Sequence, residues 1–265
     1  MSPVITLTTD FGHKGPFVAV MKGVILSRTP DARILDLTHE ILAHWPAEAG
    51  FWLSHAYPYF PAGTVHVAVV DPGVGTERDI IAAVFDGHVF VAPDNGLLPL
   101  IFESDNSARI YRMSGKWLRE QNWSKVSPTF HGRDIIAPMA AEIAAGRLSP
   151  AEIGPPVDDI VPSLLDTPEL LNNEIRGSVV TIDHFGNLIT NIDGKLLTGI
   201  KDARVRVASL YLSVHQTYGN VQPGEFLALI NSFGVIEIAR AEGSAADALG
   251  LGRGAPVVIA AATTD

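Results

Sequence analysis

Cysteine is absent from all 265 residues. This excludes disulfides, thiolate metal sites and thiol nucleophiles together, and it fits a reducing compartment. Charge is also scarce, at 18% of residues, with 19 Lys and Arg against 29 Asp and Glu and a formal net charge of -10. With no basic cluster in the chain, neither nucleic acid nor an anionic membrane is an expected partner. No apolar run approaches the roughly 20 residues that span a bilayer. The start, Met1 to Asp10, has neither the basic region nor the long apolar core of a secretory leader. Together these absences predict a soluble, cytoplasmic protein.

What is present is apolar and heavily punctuated. Hydrophobic residues make up 47%, and there are 24 Gly and 18 Pro, a composition of many short elements around one large core or two. Val4 to Thr9 reads as a buried strand ending at the turn signal Asp10-Phe11-Gly12. Gly15 to Arg28 reads as a helix with Pro16 in its first turn. Ala32 to Leu37 and Thr64 to Val70 are strands, with a helix over Pro46 to Tyr57 between them. Ile80 to Phe85 and His88 to Ala92 flank an Asp86-Gly87 hairpin turn. Helices are predicted from Asp94 to Phe102 and from Asp134 to Ala145, the latter stopping at Gly146.

From Leu148 to Asn173 five prolines interrupt any period, so this stretch reads as an extended linker. Beyond it only strands are predicted: Ile175 to Ile182, Arg204 to Val214, Phe226 to Ile230, Val235 to Ala239 and Val257 to Ala261. The fold class is therefore α/β. An α/β/α sandwich with a mostly parallel central sheet occupies residues 1–165, and an all-β barrel domain occupies 174–265.

Chemistry-bearing residues gather in a few places. Ligands of open α/β sheets bind at the carboxyl ends of the strands, and Asp10, Asp71 and Asp94 stand there. Asp at a strand end also commonly caps a turn. The segment from Asp71 to Arg78 (DPGVGTER) lacks the Gly-Lys-Ser/Thr ending of a nucleotide phosphate loop. With Phe130-His131-Gly132-Arg133-Asp134 it supplies an acid, a permanent cation and an imidazole: Asp71, Arg78 and His131. Such a set can hold and deprotonate water without a metal. A metal site from Asp10, His13, Asp71 and His131 is the competing reading, although the spacing is no known ligand motif. In the β region, the segment from Ile182 to Asn191 offers Asp183, Phe185 and Asn187, and Asn231 to Gly234 forms a similar polar loop. Both suit an aromatic, hydrogen-bonding ligand, and both are also ordinary turn chemistry.

Six segments in order carry a resemblance: Thr8 to Gly12, Asp71 to Gly75, Asp94 to Leu97, Phe130 to Asp134, Ile182 to Asn187 and Asn231 to Gly234. The chain resembles, over about Val4 to Ala261, the S-adenosylmethionine hydroxide adenosyltransferases, relatives of the fluorinating and chlorinating enzymes. The resemblance implies a seven-stranded sheet, a C-terminal β-barrel and a homotrimer whose active sites form between subunits. It implies hydrolysis of S-adenosylmethionine to adenosine and methionine, with no cofactor and no metal, by Asp71, Arg78 and His131. It further implies that Asp10 binds the ribose hydroxyls and that Trp45 and Phe130 wall the pocket. Asp183 and Asn187 would hold the methionine amino group and the adenine, with Phe185 on the base and Ser232 at the amino-acid end. The halogenating relatives have Tyr where Asp71 stands and lack the His, and Phe233 stands where they place an Arg. The fluorinating branch has Ser at Gly132 and a long insertion at Asp86-Gly87. These departures favour water over halide. A halogenase, a metal-dependent hydrolase and a non-catalytic sensor of S-adenosylmethionine or adenosine remain the alternatives.

Overall fold

Val65, Val67 and Val69 leave their strand on one side and His66 and Ala68 on the other, and all five are buried. A strand apolar on both sides must be covered on both sides, and it is the centre of a three-layer unit. The computed structural model describes residues 2–261 except 103, 104, 106, 122–124, 172 and 173, and it contains two compact units, Met1–Leu164 and Leu165–Asp265. The last two residues of the expected linker, 172 and 173, and positions 262–265 lie outside the described residues.

The first unit runs β1 (Val4–Thr9), α1 (Phe17–Arg28), β2 (Arg33–Thr38), α2 (Pro46–Ala56), β3 (Val65–Val69), β4 (Ile80–Phe85), β5 (His88–Pro93), α3 (Pro99–Phe102), β6 (Arg109–Arg112), α4 (Gly115–Glu120), α5 (Ala137–Ala144) and β7 (Pro156–Val157). The seven strands form one sheet in the order β2-β1-β3-β5-β4-β6-β7. The sheet is parallel from β2 through β5 and antiparallel from β5 through β7. The reversal begins at the expected hairpin, where Asp86 and Gly87 both take positive φ (47° and 75°), the geometry of a type I′ turn. On one face Met21 and Ile25 of α1 meet Met139, Ala140 and Ile143 of α5 over Ile5, Leu7, Val67 and Val69. On the other, Ala49 and Leu53 of α2 and Ile101 and Phe102 of α3 cover Ala68, Val70, Ala83 and Phe90.

Two expected helices differ. Between Asp94 and Phe102 only Pro99–Phe102 is helical. The preceding polar residues tie loops together instead: Asp94 accepts from the Val161 N–H (2.9 Å) and the Asn95 amide donates to the Val70 carbonyl (2.8 Å). The helix expected from Asp134 starts as a π-turn over Gly132–Ile136, where the Ala137 N–H reaches back to the Gly132 carbonyl, and becomes α-helical only at Ala137. Gly146 ends it with φ 69°, as predicted.

The second unit contains β8 (Glu169–Leu171), β9 (Glu174–Ile182), β10 (Leu188–Asp193), β11 (Ala203–Val207), β12 (Leu210–His215), β13 (Phe226–Ile230), β14 (Val235–Arg240), α6 (Ala245–Leu249) and β15 (Pro256–Ala261). Neighbours run β10-β14-β13-β12-β11-β15-β9, and β9 pairs again with β10, closing the barrel. Its interior holds Ile175, Val179, Ile192, Val205, Ile236 and Ile259. The single strand expected over Arg204 to Val214 is two antiparallel strands. They turn at Ala208, a non-glycine residue at φ 49°, so no Gly or Asn marks the turn in the sequence.

Candidate active site

Asp10 directly follows β1 and Asp71 lies two residues beyond β3, adjacent parallel strands that deliver both to one end of the sheet. Asp10 Oδ2 accepts from the His44 N–H at 3.0 Å, which leaves it capacity to accept from ligand hydroxyls. The loop after Asp71 folds back on itself. The Val74 N–H donates to the Asp71 carbonyl, the Thr76 N–H to the Gly73 carbonyl, and the Arg78 N–H to Thr76 Oγ1. These turns return Arg78 to the start of its own loop. Gly75 (φ 80°) presses against the segment before His131, so closely that a Cβ there would stand 2.1 Å from the Pro128 carbonyl oxygen.

Three side chains meet as a result. Arg78 Nε donates to both Asp71 oxygens at 3.0 Å, and its Nη2 donates to Asp71 Oδ2 and, at 2.9 Å, to His131 Nδ1. The Asp71 and Arg78 side chains are 5% and 11% exposed, so the pair is shielded from most solvent screening. Burial, and then the Arg78 charge, push the His131 imidazole below the ordinary histidine range, with Asp71 and Asp134 partly opposing. The ring is neutral at neutral pH. Asp134 is held below the usual carboxylate range first by its hydrogen bond from Arg133; the Arg133 guanidinium also lies 5.1 Å from the centre of the Phe130 ring.

Asp71 and His131 line a cavity of about 500 Å³, together with Asp10, Phe11, Phe17 and Phe130, whereas Arg78 is not among its lining residues and touches it only through these two partners. The three phenyl rings pack edge to face, with centroids 5.6 to 6.0 Å apart. Asp10, Asp71, Phe130 and His131 therefore line one cavity. Trp45, expected in the same wall, immediately precedes α2 and is not among the lining residues. Phe17 and His44 are lining residues that sequence reasoning passed over. Among the described residues no three His, Asp or Glu side chains converge so as to hold a metal ion.

The second unit has its own polar cluster. In the β9–β10 turn Asp183 Oδ1 accepts from the Phe185 and Asn187 N–H groups, both at 2.9 Å, and Oδ2 accepts from Asn187 Nδ2 at 3.0 Å. Asp183 thus shapes the turn and orients the Asn187 amide. Phe185, 74% exposed, and Asn187 line a cavity of about 450 Å³ with Tyr218 and the chain from Arg240 to Ser244. Ser232 is exposed in the β13–β14 turn, which Asn231 Oδ1 forms by accepting from Phe233 and Val235; it does not line this cavity.

Tyr218 and Glu237 are the residues sequence reasoning missed here. Tyr218 Oη donates to Glu237 Oε1 at 2.7 Å. Glu237 is buried, and burial pushes its carboxyl up despite hydrogen bonds from Tyr218 and Asn231. The sequence signal for Glu237 is a lone acid inside the apolar run Val235 to Ala239; Tyr218 carries none.

The SAM hydroxide adenosyltransferase N-terminal domain matches residues 5–154, and the corresponding C-terminal domain matches residues 177–258. A protein of Thermus thermophilus named (R)-S-adenosyl-L-methionine hydrolase is 40% identical over 97% of this chain and 99% of its own length. Its namesake in Methanocaldococcus jannaschii is 34% identical over 89% of this chain and 88% of its own. A fluorinase of Actinoplanes is 28% identical over 90% and 91%. The crystal structure of an uncharacterized conserved protein from Thermotoga maritima superposes with a TM-score of 0.87 at 34% identity, covering 97% of this chain and 99% of that one. The chain belongs to the SAM hydroxide adenosyltransferase family.

Proposed function

We propose that this protein hydrolyses S-adenosyl-L-methionine to adenosine and L-methionine by in-line attack of water on the 5′ carbon. The observation that carries the reading is the Asp71–Arg78–His131 cluster, of which Asp71 and His131 line a cavity. It sits in a chain 34 to 40% identical to proteins named for this hydrolysis.

The leaving group is a neutral thioether, so it needs no general acid. The difficulty lies with water, a weak nucleophile, and with holding it in line. The cluster offers Arg78 to stabilise negative charge growing on the oxygen, and Asp71 and His131 to orient it and manage its proton. Asp10 binds the ribose hydroxyls, Phe130 walls the pocket, and no cofactor or metal takes part. The base stacks on Phe185 beside the Asn187 amide in the cavity of the second unit, with Asp183 and Ser232 toward the amino-acid end. Three copies of the chain assemble, each barrel unit serving a neighbour's site, and the enzyme works in the cytoplasm. The names of the relatives specify the R configuration at sulfur, and the same epimer is proposed as the substrate here.

The test is to incubate protein with each sulfonium epimer in ¹⁸O-water, with and without chelator, chloride and fluoride, and to weigh the products. Labelled adenosine, formed from the R epimer and indifferent to chelator and halide, is expected. Halogenated nucleoside, or substrate bound but intact, would overturn the reading. Asp71→Ala, Arg78→Ala and His131→Ala should each lower turnover by about 10²-fold or more, the usual scale for acid–base groups, while substrate affinity survives. Near-normal rates in all three would remove the cluster from the chemistry.

A further inference from the structure

The contact between Arg78 and His131 fixes which nitrogen of the imidazole is bare. A guanidinium has only donors to offer, and Arg78 Nη2 lies 2.9 Å from His131 Nδ1. Nδ1 is therefore the acceptor and carries no hydrogen. A neutral imidazole has one N–H, and here it is Nε2–H. Since Nδ1 is occupied by Arg78 and Nε2 already bears its hydrogen, the ring has no site from which to take a proton while the cluster is intact.

We infer that His131 donates a hydrogen bond to the attacking water oxygen and that Asp71, the carboxylate in the same cluster, accepts the water proton. This rests on the hydrolase reading above. Asp71 has the capacity: Arg78 Nε and Nη2 both reach Oδ2, whereas Oδ1 receives Nε alone, and each carboxylate oxygen has two acceptor positions. Asp71 also lines the same cavity as His131. A neutral imidazole has a further merit, since a protonated one would add a second positive charge beside Arg78 in a pocket meant for a sulfonium.

The step balances without other reagents. The water oxygen forms its bond to C5′ while the C5′–S bond breaks, its electron pair going to sulfur and turning the sulfonium into the thioether of methionine. Nε2–H of His131 holds one oxygen lone pair, leaving the other directed at carbon. One water proton passes to Asp71 Oδ1, the other stays as the 5′-hydroxyl of adenosine, and Asp71 then returns its proton to solvent.

The tautomer is read from the folded wild-type protein by long-range ¹H–¹⁵N correlation spectra of ¹⁵N-histidine-labelled enzyme near pH 7.5. His131 is assigned as the signal lost in His131→Gln. Nδ1 should appear as a bare nitrogen and Nε2 as a protonated one; a hydrogen on Nδ1, or on both, overturns the donor role. Kinetics test the base. The Gln amide can donate but cannot take a proton, so His131→Gln should be only about tenfold slower than wild type, the scale of one hydrogen bond. Asp71→Asn should fall by about 10²-fold or more, with melting temperatures showing that both variants fold. Asp71→Asn within about tenfold of wild type, with His131→Gln as inactive as His131→Ala, would make His131 the base and overturn the proposal. If wild type releases no adenosine, the hydrolase reading fails, while the spectrum still decides the tautomer.

Discussion

Gly132 follows His131 in the chain and begins the π-turn, and its lack of a side chain matters. A Cβ there would stand 3.3 Å from both Met21 Sδ and Val69 Cγ1 and 3.5 Å from a Phe130 ring carbon. Gly132→Ala should therefore cost about 1–3 kcal/mol, the usual range for overpacking, and slow turnover by displacing Phe130 from the cavity wall. Urea unfolding and steady-state kinetics check the two effects together; wild-type stability would show that the pocket gives way freely. At this scale the sequence was informative where polar residues interrupt apolar runs. Asp10 and Asp71 stood out because each ends a strand, and His131 because it precedes a helix. The hydrogen bonds joining Asp71, Arg78 and His131 were not legible, because residues 7 and 53 positions apart meet only once both loops fold. Tyr218 was illegible for a similar reason. Its partner Glu237 lies 19 residues away across the barrel, and neither residue by itself marks a pocket.

At the scale of elements, β3 carries a buried polar relay away from the cavity. Thr6 Oγ1 lies 2.8 Å from His66 Nδ1, and His66 Nε2 lies 3.2 Å from His88 Nδ1, across neighbouring strands β1, β3 and β5. Burial, and then His88, hold the fully buried His66 down at about 3. The unfolded chain takes a proton near the ordinary value of about 6.5, whereas the folded chain does not. The stability tied to a neutral His66 is complete above that pH and is lost as pH falls toward the folded value. Unfolding free energies of wild type and His66→Gln should converge by about 1.4 kcal/mol per pH unit between pH 6 and 5. A constant gap in urea titrations would refute this. The raised carboxyls of Asp94 and Glu237 push the opposite way, so the comparison with the variant isolates the histidine. Strands such as β3 and the β4–β5 hairpin were plain in the sequence because period and turn residues agreed. The β11–β12 turn and the π-turn were not, since an Ala at positive φ and a wide turn before a helix leave no compositional mark.

For the whole molecule, the change from helical to strand periodicity pointed to both architectures, but the prolines of the expected linker hid the division between Leu164 and Leu165, since β7 joins the first sheet and β8 already pairs with β9. Association with other copies left no such pattern. If the proposed trimer is right, light scattering of this 28.3 kDa chain should give about three times the monomer mass; a monomer with full activity would sink the shared-site arrangement. The surface charge of -10 disfavours nonspecific association, so the mass should not rise with concentration beyond that state.

The barrel is sealed by a single strand. The early part of β9 pairs with β8 and β15 and the later part with β10, so Arg176 must wait for Val258. During synthesis β9 emerges from the ribosome long before β15, and the interval is filled by every other strand of the barrel. The three-layer unit that precedes it has all its strands by Val157 and is free to fold first. Production of this protein therefore has a late, exposed stage in which β9 stands with an open edge, and that stage, rather than the cavity chemistry, is where the growing chain most needs protection from aggregation.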